Sequence, residues 1–264
     1  MMRIATPAYV RSEVGQDRAV AIAGRHDWYR SLAWDAEIEA GFEERLRRAR
    51  PASRSQYIRI QATHLLESPD LGVRETGRGL LQRVIAEYPD DIQAKTAMEQ
   101  LGSSLADDAR LGAAEQTLRE TLRMCAGSPT GRSGTTGTTE LRLAEVILAA
   151  GDAARIPEAA ELLGAAQPQV VRLRSFRNIV FRHLLASARV AWLRHDPVAR
   201  KLARDALAVA AETTPSFPRH PGAGRPSASE DEIGELEKIA NGRSQAPADI
   251  PALTKNMARQ INLI

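Results

Sequence analysis

With 264 residues, 43% of them hydrophobic and 26% charged, the chain is long enough to bury one sizeable core or two modest ones and is too apolar to be disordered throughout. Aromatic residues make up only 4%, which argues against a sheet-rich core, because such cores draw on aromatic and β-branched side chains. Of thirty-six Lys and Arg only Lys95, Lys201, Lys238 and Lys255 are lysines, and thirty-three acids bring the net charge to +3, so the Arg bias reads first as coding composition and second as phosphate recognition.

No run of eighteen apolar residues occurs, so no transmembrane helix is expected. The amino end carries Arg3, Arg11, Glu13, Asp17 and Arg18 where a signal peptide needs an unbroken apolar stretch, and Cys125 is the single cysteine. Both features point to the cytoplasm, with Cys125 a buried thiol rather than a nucleophile.

Residues 1–33 read as a poorly ordered start. From Trp34 a helical period takes over, with Trp34, Ile38, Phe42, Leu46 and Ala49 along one face, Asp35 at its head and Pro51 as its stop. A second helix is predicted from about Ser53 to Leu66 and a third from about Asp70 to Tyr88. Loops of two to four residues between them require antiparallel neighbours. Further helices follow near Ile92–Leu105 and Arg110–Cys125. Residues 126–139, rich in Gly, Ser and Thr, break the periodicity and read as a mobile loop. Helices resume at about Thr139–Ala150, Pro157–Ala166, Leu173–His195 and Pro197–Glu212, with Gln167-Pro168 taken as a stop. The repeated helices thus occupy residues 34–212. Residues 213–264 form a Pro-rich connection, an acidic-headed helix over Ser229–Ala240, and a tail in which Ile250, Leu253, Met257, Ile261 and Ile264 share one helical face. Essentially no β-sheet is expected.

An internal repeat runs through these helices. Gly77, Leu81, Val84 and Pro89 recur as Ala114-Leu118-Thr121, Ala159-Leu163-Ala166 and Ala199-Ala203-Ala206, while Leu101-Gly102, Leu143-Ala144 and Ser187-Ala188 mark the partner helices. Small residues let two helices of a hairpin close up, and the large one fills the gap to the next hairpin. This pattern resembles the tetratricopeptide repeat over about Ser53 to Glu212. The first helices mostly lack the usual aromatic, and Gly77 to Ala114 spans 37 residues instead of the usual 34. The string Phe217-Pro-Arg-His-Pro221 is similar to one that follows the last repeat in a group of bacterial tetratricopeptide-like proteins. The resemblance implies an all-α, right-handed superhelix of helical hairpins and a groove for partner proteins; it implies no activity.

Under that register Asn178, Arg182, Arg189 and Trp192 share one face of a first helix and line the groove, with Asn and Arg as donors to a partner and Trp192 as an apolar anchor. Arg59 and Glu99 take comparable positions in earlier repeats, making the groove mixed in charge. The competing reading pairs Arg182 and Arg189 with acids of adjacent helices and places Trp192 in the core. Arg45, Arg47, Arg48, Arg50 and Arg54 straddle the first helix turn and read as contacts to phosphates or an acidic partner, or as charges complementing a helix carboxyl end. Gly127 to Ser133 resembles a phosphate loop only superficially, lacking the lysine, the glycine spacing and the preceding strand. The five scattered histidines and the absence of ligand spacings point to no metal and no cofactor.

The expected function is non-catalytic: a protein-interaction module that takes a peptide or helix of an unidentified protein in its groove. An arginine-mediated, nucleic-acid-associated role is the less favoured alternative. The apolar tail stripe is expected to cap its own chain or to dock on a second subunit, and its two cations, Lys255 and Arg259, argue against membrane binding.

Overall fold

The computed structural model describes residues 27–220 and 222–242. Within them the chain forms ten α-helices, one short 3-10 turn at Ala153–Arg155 and no strand. In chain order these are α1 (Ala36–Arg48), α2 (Pro51–Leu66), α3 (Leu71–Glu87), α4 (Ile92–Asp107), α5 (Leu111–Gly127), α6 (Thr139–Ala150), α7 (Ile156–Arg172), α8 (Arg177–Leu193), α9 (Ala199–Ala211) and α10 (Glu230–Ala240). The tail stripe from Ile250 to Ile264 lies outside the described residues, as do residues 1–26.

Local chemistry sets the boundaries. Asp35 accepts from the Glu37 and Ile38 amides, Asp70 from Gly72 and Val73, and Asp91 from Gln93, each satisfying amides that the first helical turn leaves free. Ser229 and Glu232 close a reciprocal capping box on α10. Gly151, at φ 74°, ends α6 in a left-handed conformation that costs glycine nothing. Two punctuation marks act differently from expectation. Pro51 opens α2, where its missing amide hydrogen is not needed, instead of closing α1. Pro168 sits inside α7, which continues to Arg172. Pro168 removes one hydrogen bond, to Gly164, and both residues lie on the exposed side of the helix, where the loss is not a buried one. Buried Ala166 and Val170 hold the opposite side in place.

From α2 to α10 each helix packs against the next. A second set of close backbone approaches joins α2 with α4, α4 with α6, α6 with α8, and α8 with α10, whereas successive odd-numbered helices stand farther apart and are bridged by long side chains, as by Arg83–Glu43 and Arg119–Glu158. The even-numbered helices therefore form one continuous layer and the odd-numbered ones a more open second layer.

All twelve positions of the four repeat echoes, from Gly77-Leu81-Val84 to Ala199-Ala203-Ala206, are buried, and all lie on odd-numbered helices. Their packing shows why small residues are needed. A Cβ on Gly77 would lie 3.0 Å from the Ala62 carbonyl oxygen, and one on Gly102 only 2.8 Å from Leu118 Cγ. The core divides into a large cluster from α1 to α8 and a smaller one among α8, α9 and α10, where Phe181, Leu185 and Leu236 meet the alanine face of α9.

Residues from Asp27 on lie against the first hairpin. Trp28 meets Tyr29, Phe42 and Tyr57, and buried Gln61 clasps the Ser31 backbone by accepting from its amide at 3.0 Å and donating to its carbonyl at 2.7 Å. The Gly- and Thr-rich connection between α5 and α6, expected from composition to be mobile, is fastened to α4. Lys95, only 6% exposed, donates to Ser128 Oγ, Thr130 Oγ1 and the Gly131 carbonyl, and Thr96 donates to the Gly134 carbonyl. Buried Glu99 accepts from the Thr136 amide and from the hydroxyls of Thr136 and Thr139.

Candidate functional site

All six residues proposed for partner binding lie on even-numbered helices: Arg59 on α2, Glu99 on α4, and Asn178, Arg182, Arg189 and Trp192 on α8. The helix α8 contains no acid, and its arginines reach sideways to its neighbours. Arg182 Nε donates to Glu145 of α6 over 2.8 Å, and a second nitrogen grips the same carboxylate. Arg189 forks onto Glu235 of α10 with contacts of 2.7 to 3.1 Å. Burial works against the charge on both guanidiniums, and the paired glutamates outweigh it, leaving each held above its ordinary pKa. Burial likewise pushes Glu145 up, but Arg182 and Arg142 outweigh it and hold its carboxyl below the usual carboxylate range.

The remaining residues have distinct surroundings. Glu99 is buried and turned toward the α5–α6 connection, so its carboxylate is spent on threonines. Trp192 is half-buried against the α8–α10 core. The Asn178 amide donates to the Gly224 carbonyl over 2.9 Å, while its side-chain Oδ1 is buried without a partner. Arg59 is half-buried, and its Nε donates to the neutral side chain of Gln93 on α4. Burial lowers the Arg59 pKa, and no carboxylate offsets it. The paired arginines elsewhere, Arg83 and Arg119 on helices, Arg132 in the α5–α6 connection and Arg155 in the 3-10 turn, are all raised by their glutamates.

These contacts form a row along the even-numbered layer. Arg59 and Gln93 join α2 to α4, Arg142 with Asp107 and the Ser103 carbonyl joins α4 to α6, and the Arg182–Glu145 and Arg189–Glu235 pairs complete it. Gln100 Oε1 and Arg142 Nε on the same layer are buried without hydrogen-bond partners, like Asn178 Oδ1. Gln93, Gln100, Arg142, Glu145 and Glu235 were not singled out by sequence. Helical spacing reports which residues share a face and carries no signal of which side chain stands across the gap.

The arginines of the first turn and the single cysteine have ordinary structural surroundings. Arg54 donates to the Ala49 and Arg47 carbonyls and so closes the carboxyl end of α1, and Arg48 pairs with Glu44. Cys125 is buried, and burial pushes its thiol pKa up, which disfavours the reactive thiolate. Among the described residues no group of His, Cys, Asp and Glu is placed to hold a metal ion, and no helix is long and apolar enough to cross a membrane.

The glutamates predict a pH dependence. Hydrogen bonds from Arg155 to Glu115 and from Arg119 to Glu158 hold those carboxyls low, as Arg182 and Arg142 hold Glu145. A carboxyl with a folded pKa below its unfolded value of about 4.3 adds stability that is fully present above that value and is lost as the pH falls through the folded one. The urea midpoint is therefore expected to be level between about pH 7 and pH 5 and to drop steadily below about pH 4.5. A midpoint unchanged down to about pH 3 would contradict the pairing.

No protein-family model, curated protein or solved structure matches the chain.

Proposed function

We propose that the chain is a non-catalytic, tetratricopeptide-like interaction scaffold: a right-handed superhelix of hairpins whose even-numbered helices line a concave face for a peptide of a partner protein. Closer packing within the even-numbered layer than within the odd-numbered one supports the curvature, because the tighter layer becomes the inner side. The row of polar contacts along that layer supplies mixed donors and acceptors, which suit an extended backbone.

Arg59 carries the reading. It is the one guanidinium in that row whose side-chain partner among the described residues is neutral, and burial has already removed part of its hydration. A carboxylate from a partner peptide compensates that cost in the way Glu145 and Glu235 do for Arg182 and Arg189. The expected ligand is thus a peptide with an Asp, a Glu or a free carboxyl end set against α2 and α4.

An array of short acidic and neutral peptides, followed by affinity measurement on the bound ones, tests this. Acidic peptides should be selected, and Arg59→Ala should weaken them about ten- to hundredfold, the worth of a charge-assisted hydrogen bond of roughly 1.5–3 kcal/mol. Selection of neutral peptides only, or equal affinity of the Arg59→Ala variant, overturns the assignment.

A further inference from the structure

The small net charge conceals a separation along the chain. Between residues 162 and 229 eleven Arg and Lys face only three acids, Asp196, Asp205 and Glu212, whereas acids outnumber bases over residues 27–161. Two acid-free stretches of this basic region, residues 170–180 and 213–228, are brought together at the amino end of α8. Phe176 stacks on Phe217 with ring centroids 5.0 Å apart, Asn178 donates to the Gly224 carbonyl, and Arg177 donates to the Thr214 carbonyl. Gly224, at φ 69°, passes so close to Phe176 that a Cβ there would stand 2.9 Å from its Cα, so the contact is tight. Arg177 and Arg225 line one small cleft together with Glu212, Thr213, Thr214 and Ser216, so two bases share it with one acid.

Arg172, Arg174, Arg219 and Arg225 are exposed around this junction, and none has a carboxylate or hydrogen-bond partner among the described residues. Glu212 lies 3.8 Å from Arg177, and Glu232 at the head of α10 acts on Arg182 and Arg189. Phe176, two residues after Arg174 in the turn into α8, is 39% exposed, and its ring packs on that of Phe217, two residues before Arg219.

We propose that the surface formed by Arg172, Arg174, Arg219 and Arg225 around Phe176 binds single-stranded nucleic acid, with the guanidinium groups on phosphates and an unstacked base on the Phe176 ring. Guanidinium forks match phosphate oxygens, and an aromatic face accepts any base, which gives binding without sequence preference. A duplex keeps its bases stacked and offers nothing to Phe176. An anionic bilayer calls for a broad apolar face, and here only Val171 and Phe176 are large exposed hydrophobics. The surface stands apart from Arg59 and is independent of the peptide reading.

Fluorescence anisotropy with the full chain and a labelled oligothymidylate of about twenty nucleotides tests it. Four phosphate contacts predict a log–log salt slope near −3, or about fifty-fold weaker binding from about 50 to 200 mM salt. The combined Arg172→Ala, Arg174→Ala, Arg219→Ala and Arg225→Ala variant should lose at least about tenfold in affinity and most of that slope. Phe176→Leu should lose about fivefold or more with its slope kept, circular dichroism confirming unchanged helicity in both variants. Arg45→Ala with Arg47→Ala and Arg50→Ala, from the mixed-charge corner of α1 and α2, should bind as the unmodified chain does. Affinity unaffected by the four-fold variant, tighter binding to a duplex of the same length, polyglutamate competing equally per charge, or binding to vesicles containing phosphatidylglycerol without binding to the oligonucleotide each overturns the proposal.

Discussion

Replacement of Asp108 by Ala is expected to cost about 3–5 kcal/mol, the size of breaking a buried ion pair by removing one partner. Asp108 closes the carboxyl end of α4 and receives two arginines from α3, Arg78 and Arg74. The Arg78 side chain is only 3% exposed and the Arg74 side chain 12%, so neither guanidinium can turn to water when the carboxylate is removed. Arg78 also donates to Ser104 Oγ at 2.9 Å and to the Ser104 carbonyl at 3.1 Å, which fixes it in place, and Arg74 Nε already lacks a partner. A loss of that size is a large part of the roughly 5–15 kcal/mol that holds a domain together. Glu75→Ala removes the other acid on Arg78, but its side chain is 48% exposed, and it should cost less than about 1 kcal/mol. Adding Arg78→Met to Asp108→Ala should recover part of the loss, because an apolar side chain leaves no buried charge behind. Urea midpoints of the four proteins check this series. A cost below about 1 kcal/mol for Asp108→Ala would show that the guanidiniums find other partners.

The second large effect lies where α4 and α5 cross. Leu118 is fully buried, and its truncation to Ala is expected to cost about 2–5 kcal/mol, the lost transfer energy plus that of the cavity left behind. Gly102 faces it so closely that a methyl group would stand 2.8 Å from Leu118 Cγ and 2.9 Å from Cδ2. In a helix interior Gly102→Ala would ordinarily gain about 1 kcal/mol, but overpacking against an immobile leucine costs about 1–3 kcal/mol, so the single substitution should destabilise. In the Leu118→Ala background the clash is gone and the added methyl fills part of the cavity. The double variant should therefore be more stable than Leu118→Ala alone, a coupling of opposite sign to simple addition. Denaturant unfolding of both singles and the double measures it, and additive costs would mean that the crossing is looser than the structure has it.

Much of the architecture was legible before any coordinates. Asp35, Asp70 and the acidic head of the Ser229–Ala240 helix were recognisable helix starts, and the repeated small-large-small spacing picked out positions that are all buried. Pro168 misled because a proline on the exposed side of a well-anchored helix costs one hydrogen bond and need not end it. No sequence signal showed that Lys95 and Glu99, more than thirty residues earlier, would bond to the α5–α6 connection. The site was legible as a set of faces, and the competing reading that pairs Arg182 and Arg189 with acids of adjacent helices and packs Trp192 on the core matches the contacts without having named those acids. The spacing of Arg182 and Arg189 placed them on one side of α8, but their occupation by Glu145 and Glu235 depends on how hairpins stack. Arg59 carried no distinction in sequence; its difference lies in the neutral Gln93 that stands where other arginines meet an acid. The basic surface near α8 was hidden for a similar reason, since residues 172–177 and 219–225 become neighbours only when the α8–α9 hairpin turns back.

Amide chemical-shift mapping of the full chain with a selected acidic peptide tests the central claim most directly. Perturbations are expected along α2 and α4, strongest around Arg59 and Gln93 and continuing toward α6 and α8, with α3 and α5 quiet. Perturbations confined to the odd-numbered helices, or to the groove between α3 and α5 where Met98, Leu101 and Leu105 of α4 lie among charged side chains such as Glu75 and Arg123, would contradict the account.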